Sequence, residues 1–88
     1  MTEMYVSATC SNCHQILAAL GGEANAVRLG VAIRNMSTDA YAAQAGNALR
    51  DSYGNPPRSM PLLAENGQLT AQGGPSVSAR LRALGLIR

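Results

Sequence analysis

The sequence predicts an α/β fold in which a four-stranded mixed sheet carries three helices, in the order β-α-β-α-β-β-α. Three observations support this fold class. Apolar and polar residues alternate from Val27 to Ile33, which is typical of a strand. Asn66-Gly67, between two short apolar runs, is a strong β-hairpin signal. Apolar residues at helical spacing follow Cys10 and again follow Gly74, so helices should alternate with strands.

The first strand and helix flank the two cysteines of the chain. The apolar run Met4–Ala8 predicts a short buried strand. Four residues then lie three or four positions apart and form one apolar helical face: Cys13, Ile16, Leu17 and Leu20. Gly21-Gly22 is a helix stop signal. This helix is therefore expected to begin at or just after Cys10.

The second strand and helix occupy the middle of the chain. The alternation over residues 27–34 predicts the strand. Three candidate N-cap residues precede the helix: Ser37, Thr38 and Asp39. Its expected apolar face comprises Tyr41, Ala45, Ala48 and Leu49. We expect this helix to end near Tyr53-Gly54, because Pro56-Pro57 cannot continue it.

The last third of the chain predicts a hairpin and a closing helix. Two short apolar runs, Leu62–Ala64 and Leu69–Ala71, flank the Asn-Gly pair and form the expected hairpin strands. Gly73-Gly74 then interrupts the strand pattern. The apolar face of the final helix, which closes near Gly85, comprises Val77, Leu81 and Leu84.

The composition limits the classes of function. We assign residues 1–88 to a single domain, because 88 residues suffice for one modest core. The basic residues are all arginines, and a net charge of +2 is too small to favour nucleic-acid binding. No apolar segment approaches the roughly 18 residues that span a membrane. The polar start Met1-Thr2-Glu3 does not resemble a signal peptide, so we expect a cytoplasmic protein.

The segment Cys10-Ser11-Asn12-Cys13-His14 contains both cysteines and the single histidine. In a cytoplasmic protein, such a pair indicates a catalytic or metal-binding role more than a structural disulfide. A sulfur at the start of a helix is stabilised as a thiolate by free N–H groups and by the helix dipole. We therefore assign Cys10 as the nucleophile. Cys13, one turn further along the apolar face, is placed to resolve a mixed disulfide.

Four features together resemble the thioredoxin fold in its minimal glutaredoxin form. They are Cys10-Ser11-Asn12-Cys13, Arg58-Ser59-Met60-Pro61, Glu65-Asn66-Gly67-Gln68 and Gly73-Gly74, in this order along the chain. The second is similar to the Arg-Thr-Val-Pro of that family, in which the proline is cis. The resemblance covers essentially the whole chain, and it implies a cis peptide bond before Pro61 that faces Cys10.

The same resemblance implies a substrate-binding edge made of six residues: Arg58, Ser59, Met60, Pro61, Gly73 and Gly74. Met60 would present backbone groups to the substrate, and Arg58 would contact an anionic ligand. Three positions depart from the family. Ser7 replaces a basic residue that meets the glutathione carboxylate, Pro75-Ser76 stands where an Asp often caps the last helix, and no aromatic residue separates the cysteines. Glutathione and a protein such as a thioredoxin reductase or ribonucleotide reductase are both candidate partners.

His14 has three interpretations: a surface residue, an electrostatic modulator of the thiols, or the proximal ligand of a haem. Cys-x-x-Cys-His is also the attachment signature of c-type haem, and Met60-Pro61 is similar to the Met-Pro that often supplies the distal ligand. The predicted strand over residues 27–34 and the predicted hairpin oppose this interpretation, because small c-type cytochromes are helical.

We therefore expect a thiol–disulfide oxidoreductase that reduces protein disulfides, without a bound metal or cofactor and with glutathione as a candidate co-substrate. A structural zinc site needs four ligands, and Cys10, Cys13 and His14 provide only three. Two alternatives stay open. One is a non-catalytic thioredoxin-fold adaptor or assembly component, and the other is a small c-type cytochrome.

Overall fold

The computed structural model describes all 88 residues, with four strands and four helices. In chain order the elements are β1 Thr2–Val6, α1 Ser11–Ala19, α2 Glu23–Arg28, β2 Val31–Asn35, α3 Ala40–Ala48, β3 Leu62–Glu65, β4 Gln68–Gln72 and α4 Gly74–Ala83. The α/β class and the four-stranded mixed sheet are confirmed, whereas the expected count of three helices is wrong. None of the helices is long and apolar enough to cross a membrane.

The four strands form one sheet in the order β2-β1-β3-β4. β1 pairs in parallel with β2 and antiparallel with β3, while β3 and β4 form an antiparallel hairpin. A register shift between Leu63 and Ala64 leaves Thr70 as an extra residue on β4, which is a β-bulge. β1 therefore lies inside the sheet, and β2 and β4 form its two edges.

The hairpin turn follows the prediction. Asn66 and Gly67 both have positive φ, 55° and 80°, as a two-residue type I′ turn requires. The side chain of Asn66 also accepts a hydrogen bond of 2.7 Å from the amino group of Met1. The turn is thereby tied to the start of the neighbouring strand.

The second strand was predicted to begin at Val27, and this start is wrong. β2 begins at Val31, because residues Glu23–Arg28 form helix α2. Glu23 and Arg28 lie in the first and last turns of this helix, where their charges complement the helix dipole. Ala26 is fully buried, whereas Val27 is 59% exposed and therefore does not belong to a core-facing row. Gly30, with a φ of 89°, ends the helical segment before β2 begins. The apparent alternation over residues 27–29 arose by chance at a helix end.

Helix α3 begins as predicted but ends earlier. Asp39 is the N-cap, and its Oδ1 accepts from the backbone N–H groups of Tyr41 and Ala42 at 2.9 and 3.3 Å. The predicted apolar face is wrong in part, because Tyr41 is 83% exposed while Ala42 and Gly46 are buried. A Cβ at Gly46 would lie 2.7 Å from the Sδ of Met36, so the small residue permits close packing. The helix ends at Ala48 rather than near Tyr53-Gly54.

The main core lies on one face of the sheet, beneath α1, α2 and α4. It contains ten buried residues: Met4, Val6, Cys13, Ile16, Leu20, Ala26, Val31, Leu63, Val77 and Leu81. A smaller cluster on the other face comprises Tyr5, Leu62 and Ala64, against which Met36 and Leu49 pack. The sheet is therefore covered on both faces, and the larger core includes the sulfur of Cys13.

One ion pair joins β3 to α4. The guanidinium of Arg80 donates two hydrogen bonds, of 2.7 and 2.8 Å, to the carboxylate of Glu65. This interaction lowers the pKa of Glu65 from 4.5 to about 2. The native protein therefore binds fewer protons than the unfolded chain between these two pH values.

Truncation of Leu63 tests the core assignment. Leu63 is fully buried in an inner strand, so we expect Leu63→Ala to lower the free energy of unfolding by about 2–5 kcal/mol. Leu84→Ala is the matched control, because Leu84 is 38% exposed and should cost about 1 kcal/mol or less. Urea unfolding followed by circular dichroism measures both. Equal losses in the two variants would contradict the assignment.

Acid sensitivity tests the ion pair. Since the pKa of Glu65 is depressed in the native state, its stabilising contribution is present above about 4.5 and is lost as the pH falls towards about 2. We expect Glu65→Gln to flatten the fall of the free energy of unfolding over this range. Glu23→Gln, which removes an exposed carboxylate without an ion-pair partner, should change the slope less than Glu65→Gln does. Parallel acid profiles for wild type and Glu65→Gln would exclude this contribution.

Candidate active site

The two cysteines lie at the junction of β1 and α1, as predicted. They form a disulfide, and their Cα atoms are 5.2 Å apart. Cys10 is the N-cap of α1 with an extended backbone, and it is half-buried. Cys13, in the first turn of the helix, is 1% exposed and belongs to the main core. Of the two cysteines, only Cys10 is therefore partly exposed to a partner molecule.

The sulfur of Cys10 takes the place that a hydroxyl or carboxylate oxygen usually takes at a helix start. Its Sγ accepts a hydrogen bond of 3.1 Å from the backbone N–H of Cys13. In the reduced protein the same N–H and the positive end of the helix dipole would stabilise a thiolate on Cys10. This geometry can activate one sulfur of the pair and leaves the other in an apolar environment.

His14 follows the pair on the exposed side of α1. Its Nε2 lies 3.1 Å from the carbonyl oxygen of Ala8. The imidazole thus bonds the loop that precedes Cys10. The alternative of a haem ligand fits this structure poorly, since small c-type cytochromes are helical and this chain contains a four-stranded sheet.

The segment that ends at Pro61 lies against the paired glycines. The peptide bond between Met60 and Pro61 is cis, as the resemblance implies. The carbonyl oxygen of Pro61 accepts a hydrogen bond of 2.8 Å from the N–H of Gly73. Pro61 is buried, and the half-buried Met60 packs against both core clusters. A Cβ at Gly73 would lie 3.4 Å from the Cβ of Ser59, so the two segments are in contact.

Gly74 connects these segments to the cysteine motif. It is buried at the start of α4, and a Cβ there would lie 2.8 Å from the side-chain Cγ of Asn12. Asn12, one of the two residues between the cysteines, therefore packs directly against Gly74. Asn12 was part of the predicted motif, but this contact carried no signal in the sequence.

An open polar cavity of about 400 Å³ lies beside Ser59. It is lined by Asp51, Asn55, Pro56, Arg58, Ser59 and Gln72. Arg58 has no acidic partner, because the ion pairs of the molecule are Glu3–Arg34 and Glu65–Arg80. Oδ1 of Asp51 accepts from two backbone N–H groups of its own loop, those of residues 53 and 55, at 2.9 Å. Apart from Arg58 and Ser59, none of the lining residues was predicted, and no motif marks them.

No group of three or more His, Cys, Asp or Glu side chains is arranged to hold a metal ion. The two cysteines bond to each other, and His14 is directed to a carbonyl oxygen. The chemistry that this arrangement supports is therefore that of the Cys10–Cys13 pair itself.

Comparisons with protein-family models, with curated proteins and with solved structures find no match for this chain. The interpretation of the site therefore depends on its geometry, namely a disulfide-forming Cys-x-x-Cys pair at the start of a helix in a small α/β fold.

Proposed function

We propose that this chain is a small thiol–disulfide oxidoreductase of the thioredoxin-like type, close to the minimal glutaredoxin form. One observation carries the proposal. The sulfur of Cys10 caps α1 and accepts the N–H of Cys13, while Cys13 is buried behind it. A nucleophile and a resolving thiol require this asymmetry between an accessible sulfur and a protected one.

The arrangement of the sheet supports the thioredoxin-like assignment. The parallel β1–β2 pair and the antiparallel β3–β4 hairpin are compatible with the four-stranded mixed sheet and the order β-α-β-α-β-β-α that the resemblance implies. The extra helix α2 lies within the connection between β1 and β2 and leaves that connectivity unchanged.

The proposed reaction proceeds through two exchanges. The thiolate of Cys10 attacks one sulfur of a protein disulfide, which forms a Cys10–partner bond and releases the other partner sulfur as a thiolate. The thiolate of Cys13 then attacks Sγ of Cys10, which forms the Cys10–Cys13 disulfide and releases the second partner thiolate. Two electrons pass from the cysteine pair to the partner disulfide. A reductase dithiol or two molecules of glutathione return the pair to the reduced form, so no bound cofactor is needed.

We propose that the substrate docks on one surface of the protein, which reaches the cysteine motif where Gly74 approaches Asn12. We assign it to the six residues of the predicted edge: Arg58, Ser59, Met60, Pro61, Gly73 and Gly74. The unpaired cation of Arg58 at the polar cavity would attract an acidic group that flanks the substrate disulfide. Because a dithiol reductant works in a reducing compartment, we also propose a cytoplasmic location.

Trapping of the mixed disulfide tests the assignment of roles. With a reduced Cys13→Ser variant and a peptide disulfide, we expect a stable covalent adduct on Cys10, because the resolving thiol is absent. The matched Cys10→Ser variant should form little or no adduct, since Cys13 is buried. Intact-protein mass spectrometry measures both adducts.

The trapping experiment, a disulfide-reduction assay and a visible spectrum together separate the alternatives. An adduct on Cys13 in place of Cys10 would reverse the assigned roles. No adduct and no disulfide reduction by the wild type would favour the adaptor or assembly function. A Soret band in the visible spectrum of the purified protein would favour the cytochrome.

Removal of the Arg58 charge tests the docking surface. We expect Arg58→Ala to raise the KM for a peptide disulfide with acidic flanking residues about two- to fivefold and to leave kcat unchanged, as for an exposed ion pair. The effect should disappear at high salt and with a neutral peptide. Arg28→Ala on α2 is the matched control, because it removes an exposed arginine elsewhere. Equal effects of both variants would reject a specific role of Arg58.

A further inference from the structure

Ala8 lies in the short loop between β1 and α1, and side chains bond both of its backbone polar groups. Its N–H donates to Oγ of Ser37 at 3.0 Å, and its carbonyl oxygen accepts from Nε2 of His14 at 3.1 Å. The side chain of Ala8 is exposed and contributes little packing. These two hydrogen bonds, which we call the Ala8 clamp, therefore hold this part of the loop.

The clamp joins the loop to two separate elements. Ser37 follows β2, where the N–H of the neighbouring Met36 extends the sheet by donating to the carbonyl oxygen of Val6 at 2.8 Å. His14 belongs to α1, and its backbone N–H donates to the carbonyl oxygen of Cys10 at 3.3 Å. The clamp thus fixes the position of the loop relative to both the sheet and the helix that Cys10 caps.

In the hydrogen bond between His14 and Ala8, the chemistry of the Ala8 group identifies the donor. A carbonyl oxygen only accepts hydrogen bonds, so Nε2 of His14 carries the proton. Both the neutral imidazole protonated at Nε2 and the imidazolium provide this donor. A glutamine at position 14 would offer an amide N–H at a similar reach, whereas an alanine would offer none.

We propose that His14 and Ser37 are positioning residues that keep the backbone of Cys10 at the start of α1 while the cysteine pair is reduced. The inference rests on the function proposed above. In the oxidised protein the disulfide itself ties Cys10 to the helix. After reduction that bond is gone. The clamp then remains together with two hydrogen bonds of the Cys10 backbone, both of 3.3 Å: its N–H donates to the carbonyl oxygen of Ser7, and its carbonyl oxygen accepts from the N–H of His14.

The clamp should act on the second exchange. In that step the thiolate of Cys13 attacks Sγ of Cys10, the bond between Cys10 and the partner sulfur breaks, and the partner leaves as a thiolate. The rate depends on how often the two sulfurs of the pair meet in the correct geometry. A looser loop would slow this release. It would also shift the equilibrium of the pair from the disulfide towards the dithiol.

The test compares variants that remove or retain each hydrogen bond. His14→Ala and Ser37→Ala remove a bond, His14→Gln and Ser37→Thr retain a donor or acceptor, and Thr38→Ala is a control at an exposed neighbour. Two quantities are measured: the equilibrium of the pair with dithiothreitol at neutral pH, and the rate at which a preformed Cys10–peptide mixed disulfide releases its peptide.

For His14→Ala and for Ser37→Ala we expect the equilibrium to shift towards the dithiol by about fivefold. We also expect the peptide to be released about fivefold more slowly. Each change corresponds to the loss of one hydrogen bond. The two retaining variants and Thr38→Ala should lie close to wild type. Wild-type values in both removing variants would overturn the proposal. Loss in His14→Gln equal to that in His14→Ala would also overturn it for His14, since the imidazole rather than its hydrogen bond would then matter.

Two features of the design keep the result interpretable. The equilibrium with dithiothreitol involves no protein partner, so it judges the clamp even if the wild type reduces no protein disulfide. Ser37→Ala and His14→Ala remove different hydrogen bonds of the clamp, so one variant suffices if the other fails to fold. Urea unfolding of the oxidised proteins identifies such a failure.

Discussion

Strand β1 lies inside the sheet, and its hydrogen bonds to β2 on one side and β3 on the other bring together the segments around the loop that leads to Cys10. Tyr5 pairs with Arg34 across the parallel ladder and with Leu62 across the antiparallel one. The segments that follow β2 and precede β3 therefore meet at the end of β1, where the chain turns towards Cys10. The pairing of β1 with its two neighbours thus brings Ser37 and Pro61, far apart in sequence, to the same end of the sheet.

Cys13 serves the fold and the proposed chemistry together. Its side chain belongs to the main core with residues of β1, α1 and α4, and its N–H donates a hydrogen bond to the sulfur of Cys10. Burial keeps this second thiol away from outside disulfides, whereas the first is half-exposed at the helix start. The direction of the proposed exchange, from Cys10 outwards and Cys13 inwards, follows from this packing rather than from any difference in residue type.

The candidate site was predictable to the extent that it depends on short motifs. The Cys-x-x-Cys spacing indicated a redox pair, and the resemblance led to Pro61 and the paired glycines, which indeed contact one another. The Ala8 clamp and the packing of Asn12 on Gly74 were missed, because an alanine backbone and an exposed amide give no pattern in a sequence. The cavity was only partly foreseen, since only Arg58 and Ser59 of its six lining residues belong to a recognisable motif.

The sequence by itself determined the features that arise from neighbouring residues: the Asn66-Gly67 turn, an N-cap within residues 37–39 and the helix that starts after Cys10. Each depends on local backbone preferences and nearby hydrogen bonds, which a few residues specify. Only the tertiary structure decided that residues 23–28 form a helix and that Tyr41 faces outwards. From their neighbours alone, the apolar residues at these positions could be buried or exposed. Burial of Ala26 in the main core accompanies the helix over residues 23–28, and the close approach of Gly46 to Met36 sets which side of α3 is buried.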